Sequence, residues 1–118
     1  MKFSILISSF NKAKYIEKCI TSCLQQKEKD CEIIVFDNYS TDNTLKLLKK
    51  FGKKIRLFKK KRFSNSPALN QIDLLKSGFQ KSRGEYVCLL DADDYFRVNK
   101  LFIIKKYFLK KKNVNTIF

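Results

Sequence analysis

Two hydrophobic rhythms alternate along this chain. Short apolar runs at 3–8 (FSILIS), 31–37 (CEIIVFD), 54–58 (KIRLF) and 85–90 (EYVCLL) have strand length and predict buried strands. Between them the apolar residues fall at helical spacing. Ala13, Ile16, Ile20, Cys23 and Leu24 predict a helix over 12–26, and Leu45, Leu48 and Phe51 a second one. Leu69, Ile72, Leu75 and Phe79 predict a third over 67–83 with that face inward, and Leu101, Ile104 and Phe108 a fourth over about 98–111. The polar punctuation agrees. Asn11 is placed to cap the first helix and Ser40 or Thr41 the second, with Asp42 suiting its N-terminal dipole. Gly52 stands where a left-handed C-terminal cap is wanted, Pro67 fits a first helical turn, and Gly84 ends the third helix. Residues 113–118 can begin a further strand.

Strand and helix thus alternate as βαβαβαβα, with short connections except over 59–66. That pattern implies an α/β class fold, a Rossmann-like three-layer α/β/α arrangement around a mostly parallel sheet with right-handed crossovers. The expected strand order is 3-2-1-4. With 118 residues, no internal repeat and no linker, residues 1–118 read as a single domain. A chain of this size buries roughly 65% of its unfolded surface, enough for one modest core.

Charge changes the picture next. Lys and Arg number 26 against 11 Asp and Glu, a net charge of +15. Such a balance admits nucleic acid or an anionic membrane surface as partner. The Lys residues are spread over every segment rather than clustered, so nucleic acid is not the expected partner, and the runs at 59–62 and 110–112 read as solvated loop and helix end. Peripheral contact of Lys-rich helix faces with the cytoplasmic face of an anionic membrane is compatible with the pattern. No apolar run approaches the ~18 residues of a membrane helix. The opening residues imitate a signal peptide, but their apolar stretch is short, breaks at Asn11 and Lys12, and lacks a cleavage site. Four cysteines, no histidine and no CxxC pair argue against zinc and for buried free thiols in a reducing compartment, with Cys19 and Cys23 facing the core. The expected location is cytoplasmic.

The few acids are placed unevenly. Asp37, Asp91, Asp93 and Asp94 stand at or just past the C-terminal ends of predicted strands. Ligands of open α/β sheets bind at that edge, where the strand order reverses. With order 3-2-1-4, Ser9, Phe10 and Asn11 face 91–94 across one crevice, and Asp37 lies one strand further along. Carboxylates this close repel unless a cation neutralises them. One carboxylate can hold Mg²⁺ or Mn²⁺ that also binds a diphosphate, while a neighbour accepts from ribose hydroxyls. The bland alternative is an acidic helix start. A nucleotidyltransferase site is disfavoured because residues 8–11 contain no Gly for a phosphate-cradling loop. Tyr95 and Phe96 read as packing residues.

These segments resemble the N-terminal half of family 2 glycosyltransferases, which have the GT-A nucleotide-diphospho-sugar fold. FSILISSFNKAKYIEKCITSCLQQ is similar to the family's opening strand, Asn-containing turn and first helix. CEIIVFDNYSTDNTLKLLKKF is similar to its strand–Asp–Ser-Thr-Asp–helix element, and KSRGEYVCLLDADDYF to its Gly-Glu-Tyr strand and Asp-x-Asp metal motif. SPALNQIDLLKSGF resembles more loosely the helix before that strand. The resemblance implies a nucleotide-diphospho-sugar site formed by Ser8, Ser9, Phe10, Asn11, Asp37, Asn38, Asp91, Ala92 and Asp93. Asp37 would contact the base and Ser8 to Asn11 the base and ribose side. Asp91 would lie near the ribose or diphosphate and share the metal with its main ligand, Asp93, while Asp94 supports the turn. It also implies Mg²⁺ or Mn²⁺ as cofactor and a hydroxyl acceptor on a saccharide, a lipid carrier or a protein.

The sequence departs from the family at several points. Ser8 and Ser9 stand where the opening turn usually carries Pro, and Asn38-Tyr39 where Asp-Gly is common. Leu69 occupies the place of an Arg that often precedes the Asn equivalent to Asn70. The family's acceptor half and its general base lie beyond the metal motif, and this chain continues only about two dozen residues past Asp94. The expectation is a donor-binding half without the acceptor-binding half and without the catalytic base. A catalytically incomplete fragment, or a non-catalytic basic module, is the competing reading.

Overall fold

The strand β1 (Phe3–Ser9) lies between β2 (Cys31–Asp37) and β4 (Tyr86–Asp91), and β2 carries β3 (Arg56–Lys59) on its far side. Every pairing is parallel, so the order is β3-β2-β1-β4, as the alternating pattern predicts. The register sets Ser9 opposite Asp37 and Ser8 opposite Asp91, which brings the C-terminal ends of the three strands level at one edge. This is a computed structural model, and it describes residues 2–111 and 113; the strand read at 113–118 otherwise lies outside the described residues.

The crossovers are α1 (Ile16–Leu24), α2 (Thr44–Lys49) and α3 (Pro67–Lys81), with a short 3-10 turn over Gly52–Lys54, and α4 (Lys100–Lys110) follows β4. Side chains alternate across β1. Phe3, Ile5 and Ile7 pack with Ile16, Cys19, Ile20 and Cys23 of α1, Leu48 of α2 and Leu101 of α4. Leu6 points the other way, with Ile34 and Phe36, onto Leu74 of α3. Three layers result. Each fully buried Ile or Leu in them stabilises the fold by about 1.5–3 kcal/mol. Among the described residues no helix is long and apolar enough to cross a membrane.

Of the expected inward face of α3, Leu75 alone packs inward, beside Leu74. Leu69, Ile72 and Phe79 are 49%, 61% and 54% exposed, while Asn70, Leu74 and Gly78 are buried. Gly78 explains the rotation. A Cβ there would meet Leu6 Cδ1 at 2.7 Å, so the helix sits on the sheet through its smallest residue. Pro67 does open α3, and the Ser66 hydroxyl accepts from the Leu69 amide at 3.4 Å.

Neither expected cap of α1 or α2 performs that task. Residue Tyr15 precedes α1 and Asn43 precedes α2, each without a side-chain cap. Asn11 instead takes a left-handed φ of 51° and reaches across to the other turn, its Oδ1 accepting from the Thr41 amide at 2.7 Å. Asp42 reciprocates, accepting from the amides of Ala13 at 3.2 Å and Thr44 at 2.9 Å. The two turns cap each other, so polar side chains that look local serve a contact some thirty positions away. Gln26 was not singled out by the pattern. It is fully buried, donates to the Ser22 and Arg97 carbonyls and accepts from the Leu101 amide, joining the end of α1 to the start of α4.

Glu32 ties the far end of the sheet. It accepts from Ser4 Oγ at 2.6 Å, from Arg56 at 2.8 Å and from the Arg83 amide. Burial alone would raise its carboxyl, but these donors outweigh it and hold the group below the ordinary Glu value. A carboxylate depressed in the folded state contributes stability that is full above the unfolded value and lost as pH falls through the folded one. Thermal melts are therefore expected to be level above about pH 5 and to fall below about pH 4. The variant Glu32→Gln should be less stable at neutral pH and should show a shallower acid slope; an unchanged slope would remove Glu32 from the acid response.

Candidate functional site

β4 runs directly into the acidic turn. The Asp94 amide donates to the Asp91 carbonyl at 3.0 Å, and the turn this closes brings carboxylate oxygens of Asp91, Asp93 and Asp94 within 4.8 Å of one another. All three side chains are exposed. Gln71 of α3 donates to Asp91 Oδ1 at 2.9 Å, and Lys12 Nζ lies 3.1 Å from Asp93 Oδ2. From behind, the Cys19 thiol contacts the Asp91 carbonyl at 3.6 Å. Burial first, then Cys23 and the three nearby carboxylates, pushes that thiol far up, so it stays a neutral packing group.

A cleft of about 520 Å³ opens between this turn and the end of β1. Its walls include Ser8, Ser9 and Phe10 from β1, Asn38 after β2, and Asp91, Ala92 and Asp93 after β4. Those expected residues are brought together. Asn11, Asp37 and Asp94 are not in the lining. Asn11 is the clasp between turns described above. Asp37 is fully buried, and its two oxygens accept from the Ser40 amide at 2.8 Å and the Ser40 hydroxyl at 2.6 Å. Its carboxylate shapes the turn behind Asn38, whose Nδ2 donates to the Lys60 carbonyl at 2.9 Å. Asp94 borders a neighbouring cleft with Tyr95 and Phe96. Phe96 packs on the core as expected, whereas Tyr95 is exposed beneath the Lys18 ammonium at 3.9 Å.

Four polar or charged lining residues escaped sequence reasoning as site groups: Lys12, Arg62, Asn70 and Gln71. Arg62 belongs to the run read as a solvated loop, yet its guanidinium stands 4.4 Å from the centroid of the Phe10 ring. Asn70 fixes it there. Its buried amide accepts from the Phe63 and Ser64 amides and donates to the Ser64 carbonyl at 2.7 Å. Asn70 lies on the helix side opposite the expected apolar stripe, so the periodicity gave no signal for it.

The arrangement suits an anionic ligand together with a hard cation. Three carboxylates form an all-oxygen donor set of the kind Mg²⁺ and Mn²⁺ accept. An ammonium already rests beside Asp93, so the position attracts positive charge. Ser9 also borders the cleft, and its buried hydroxyl finds no hydrogen-bond partner among the described residues. Arg62 and Lys12 add positive charge to the lining.

An open parallel sheet with a polar cleft across its reversal point, where β1 meets β4, is the donor-side architecture of GT-A glycosyltransferases. The chain belongs to glycosyl transferase family 2, whose family model matches residues 4–117. It is 34% identical over its whole length to the glycosyltransferase MG060 of Mycoplasma genitalium, of which it covers 41%. It is 31% identical over 98% of its length to hyaluronan synthase of Pasteurella multocida, covering 12% of that protein. Staphylococcus aureus TarS 1–349 in complex with UDP-GlcNAc superposes with a TM-score of 0.74 and 30% identity, over 93% of this chain and 32% of that one. The mannosyltransferase PcManGT of Pyrobaculum calidifontis, in complex with GDP-Man and Mn²⁺, shares the fold with a TM-score of 0.74 at 19% identity, over 96% of this chain and 33% of that one. The chain thus spans well under half the length of these relatives.

Proposed function

We propose that this chain is the donor-binding part of a glycosyltransferase, taking a nucleotide-diphospho-sugar with Mg²⁺ or Mn²⁺. The observation that carries the reading is the joint presence, in one cleft, of Asp91 and Asp93 with the cationic side chains of Lys12 and Arg62. The nucleoside would lie along Ser8, Ser9, Phe10 and Asn38, with Asp91 near the ribose and Asp93 as the main metal ligand. Arg62 and Lys12 would face the phosphates. The metal would offset charge growing on the leaving diphosphate. Asp37 and Asn11 act by holding the loops that form the wall. The donors named for TarS and PcManGT support this class of ligand. The acceptor would be a hydroxyl of a saccharide, a lipid carrier or a protein, in polysaccharide, lipopolysaccharide or glycoconjugate synthesis at the cytoplasmic side. Its binding groups and the general base would come from a half that the described residues do not contain.

Calorimetric titration with UDP, GDP and dTDP, each with Mn²⁺ and with chelator, tests the proposal. Metal-dependent binding of one nucleotide is expected and names the base of the donor. A folded chain that binds none of them would overturn it.

A further inference from the structure

The outer face of helix α4 mixes large exposed apolar side chains with lysines. Leu101 faces the core and Ile104 and Phe108 are half-buried beside it. The opposite face carries Phe102, Ile103 and Leu109, which are 40%, 55% and 64% exposed. Helical spacing sets Lys106 and Lys110 in the middle of these residues. The Lys106 ammonium lies 4.8 Å from the Phe102 ring centroid, so charge and apolar surface are in direct contact. No acidic residue occurs anywhere in α4.

These facts constrain what can cover the face. Bulk water suits the ammoniums but leaves the three large apolar side chains that flank them exposed. A bilayer surface satisfies both groups. Apolar tips enter the boundary between headgroups and acyl chains, while long lysine stems carry their charge back to lipid phosphates. The net charge of +15 favours the same partner from a distance. We infer that the outer face of α4 is a membrane-docking surface that lies in the plane of an anionic phospholipid bilayer. The inference concerns a surface outside the nucleotide cleft and stands whether or not the cleft binds a nucleotide.

The chain contains no tryptophan, so Phe102→Trp introduces a unique fluorescent reporter into this face. Vesicles of phosphatidylcholine with about a third phosphatidylglycerol should shift its emission to the blue at physiological salt, and phosphatidylcholine alone should not. Absence of a shift with the anionic vesicles overturns the inference. So does an equal shift with a single-stranded RNA oligonucleotide, which would assign the face to nucleic acid. Co-sedimentation of the full chain separates this helix from diffuse charge. Lys106→Glu with Lys110→Glu should weaken vesicle binding about tenfold, and Phe102→Ser with Leu109→Ser comparably. Lys53→Glu with Lys54→Glu makes the same charge change on the 3-10 turn and should weaken binding less than about twofold. Equal losses in the two lysine pairs would mean that only net charge acts and would overturn the assignment. Far-UV circular dichroism confirms that these exposed variants keep the fold.

Discussion

Replacing Asp93 with Asn should abolish the metal-dependent part of nucleotide binding without unfolding the chain. The side chain is 44% exposed, and its ion pair is with Lys12, itself 37% exposed. Exposed pairs of this kind are worth at most about 1 kcal/mol, so the melting temperature should hardly move. The charge matters differently to a divalent ion. Asn keeps one oxygen but removes a full negative charge within bonding distance of the cation, and an effect on the order of a hundredfold on Mn²⁺-dependent affinity is expected. The check is the same titration with Mn²⁺ and with chelator. If Asp93→Asn binds nucleotide as tightly as the parent in both conditions, Asp93 is no metal ligand.

Gly84→Ala should give the largest loss of stability. A Cβ on Gly84 would stand 2.7 Å from the Ser4 amide nitrogen and 2.8 Å from both the Lys2 carbonyl oxygen and the Phe3 carbonyl carbon. All of these are backbone atoms of the central strand or of the residue before it, so no rotamer change relieves the clash. The Gly84 amide also donates to Ser4 Oγ at 2.9 Å, so displacement breaks a second contact. A cost of about 3 kcal/mol is expected, with β4 pushed away from β1. Gly78→Ala is the informative comparison. Its obstacle is the end of the Leu6 side chain, which can rotate, and its helical position favours Ala. Denaturant melts should rank Gly84→Ala far below Gly78→Ala. Equal midpoints would mean that the approach of residue 84 to β1 is looser than the structure shows.

Strands were legible because each is a short apolar run, and a central parallel strand must be apolar on both faces. The acidic edge was legible for a related reason. In a parallel sheet, residues that end successive strands meet at one side, so the end of β1 could be set facing 91–94 from sequence alone, while the register of Ser8 with Asp91 could not. What stayed hidden depends on long reach. The face of α3 was misread because Gly78 and Asn70 point inward where periodicity favours Leu69 and Phe79. The Asn11–Thr41 clasp uses residues that carry ordinary capping chemistry, and nothing in their spacing says that each serves the other turn. Lys12 and Arg62 are long and flexible. Their aim into the cleft follows from Asp93 and Phe10, which only the assembled fold brings near.

The strand order also dictates a sequence of assembly. Because β1 pairs with β2 on one side and β4 on the other, its two edges are completed at very different times during synthesis. The β1–α1–β2 unit closes a short loop and can form while the chain is still growing. The other edge of β1 stays unpaired until residues 86–91 have left the ribosome, and the cleft cannot exist before then. Of the four strands β1 is made first and one of its edges waits for the last of them, so the interval before β4 arrives leaves the middle of the sheet open to pairing with a neighbour.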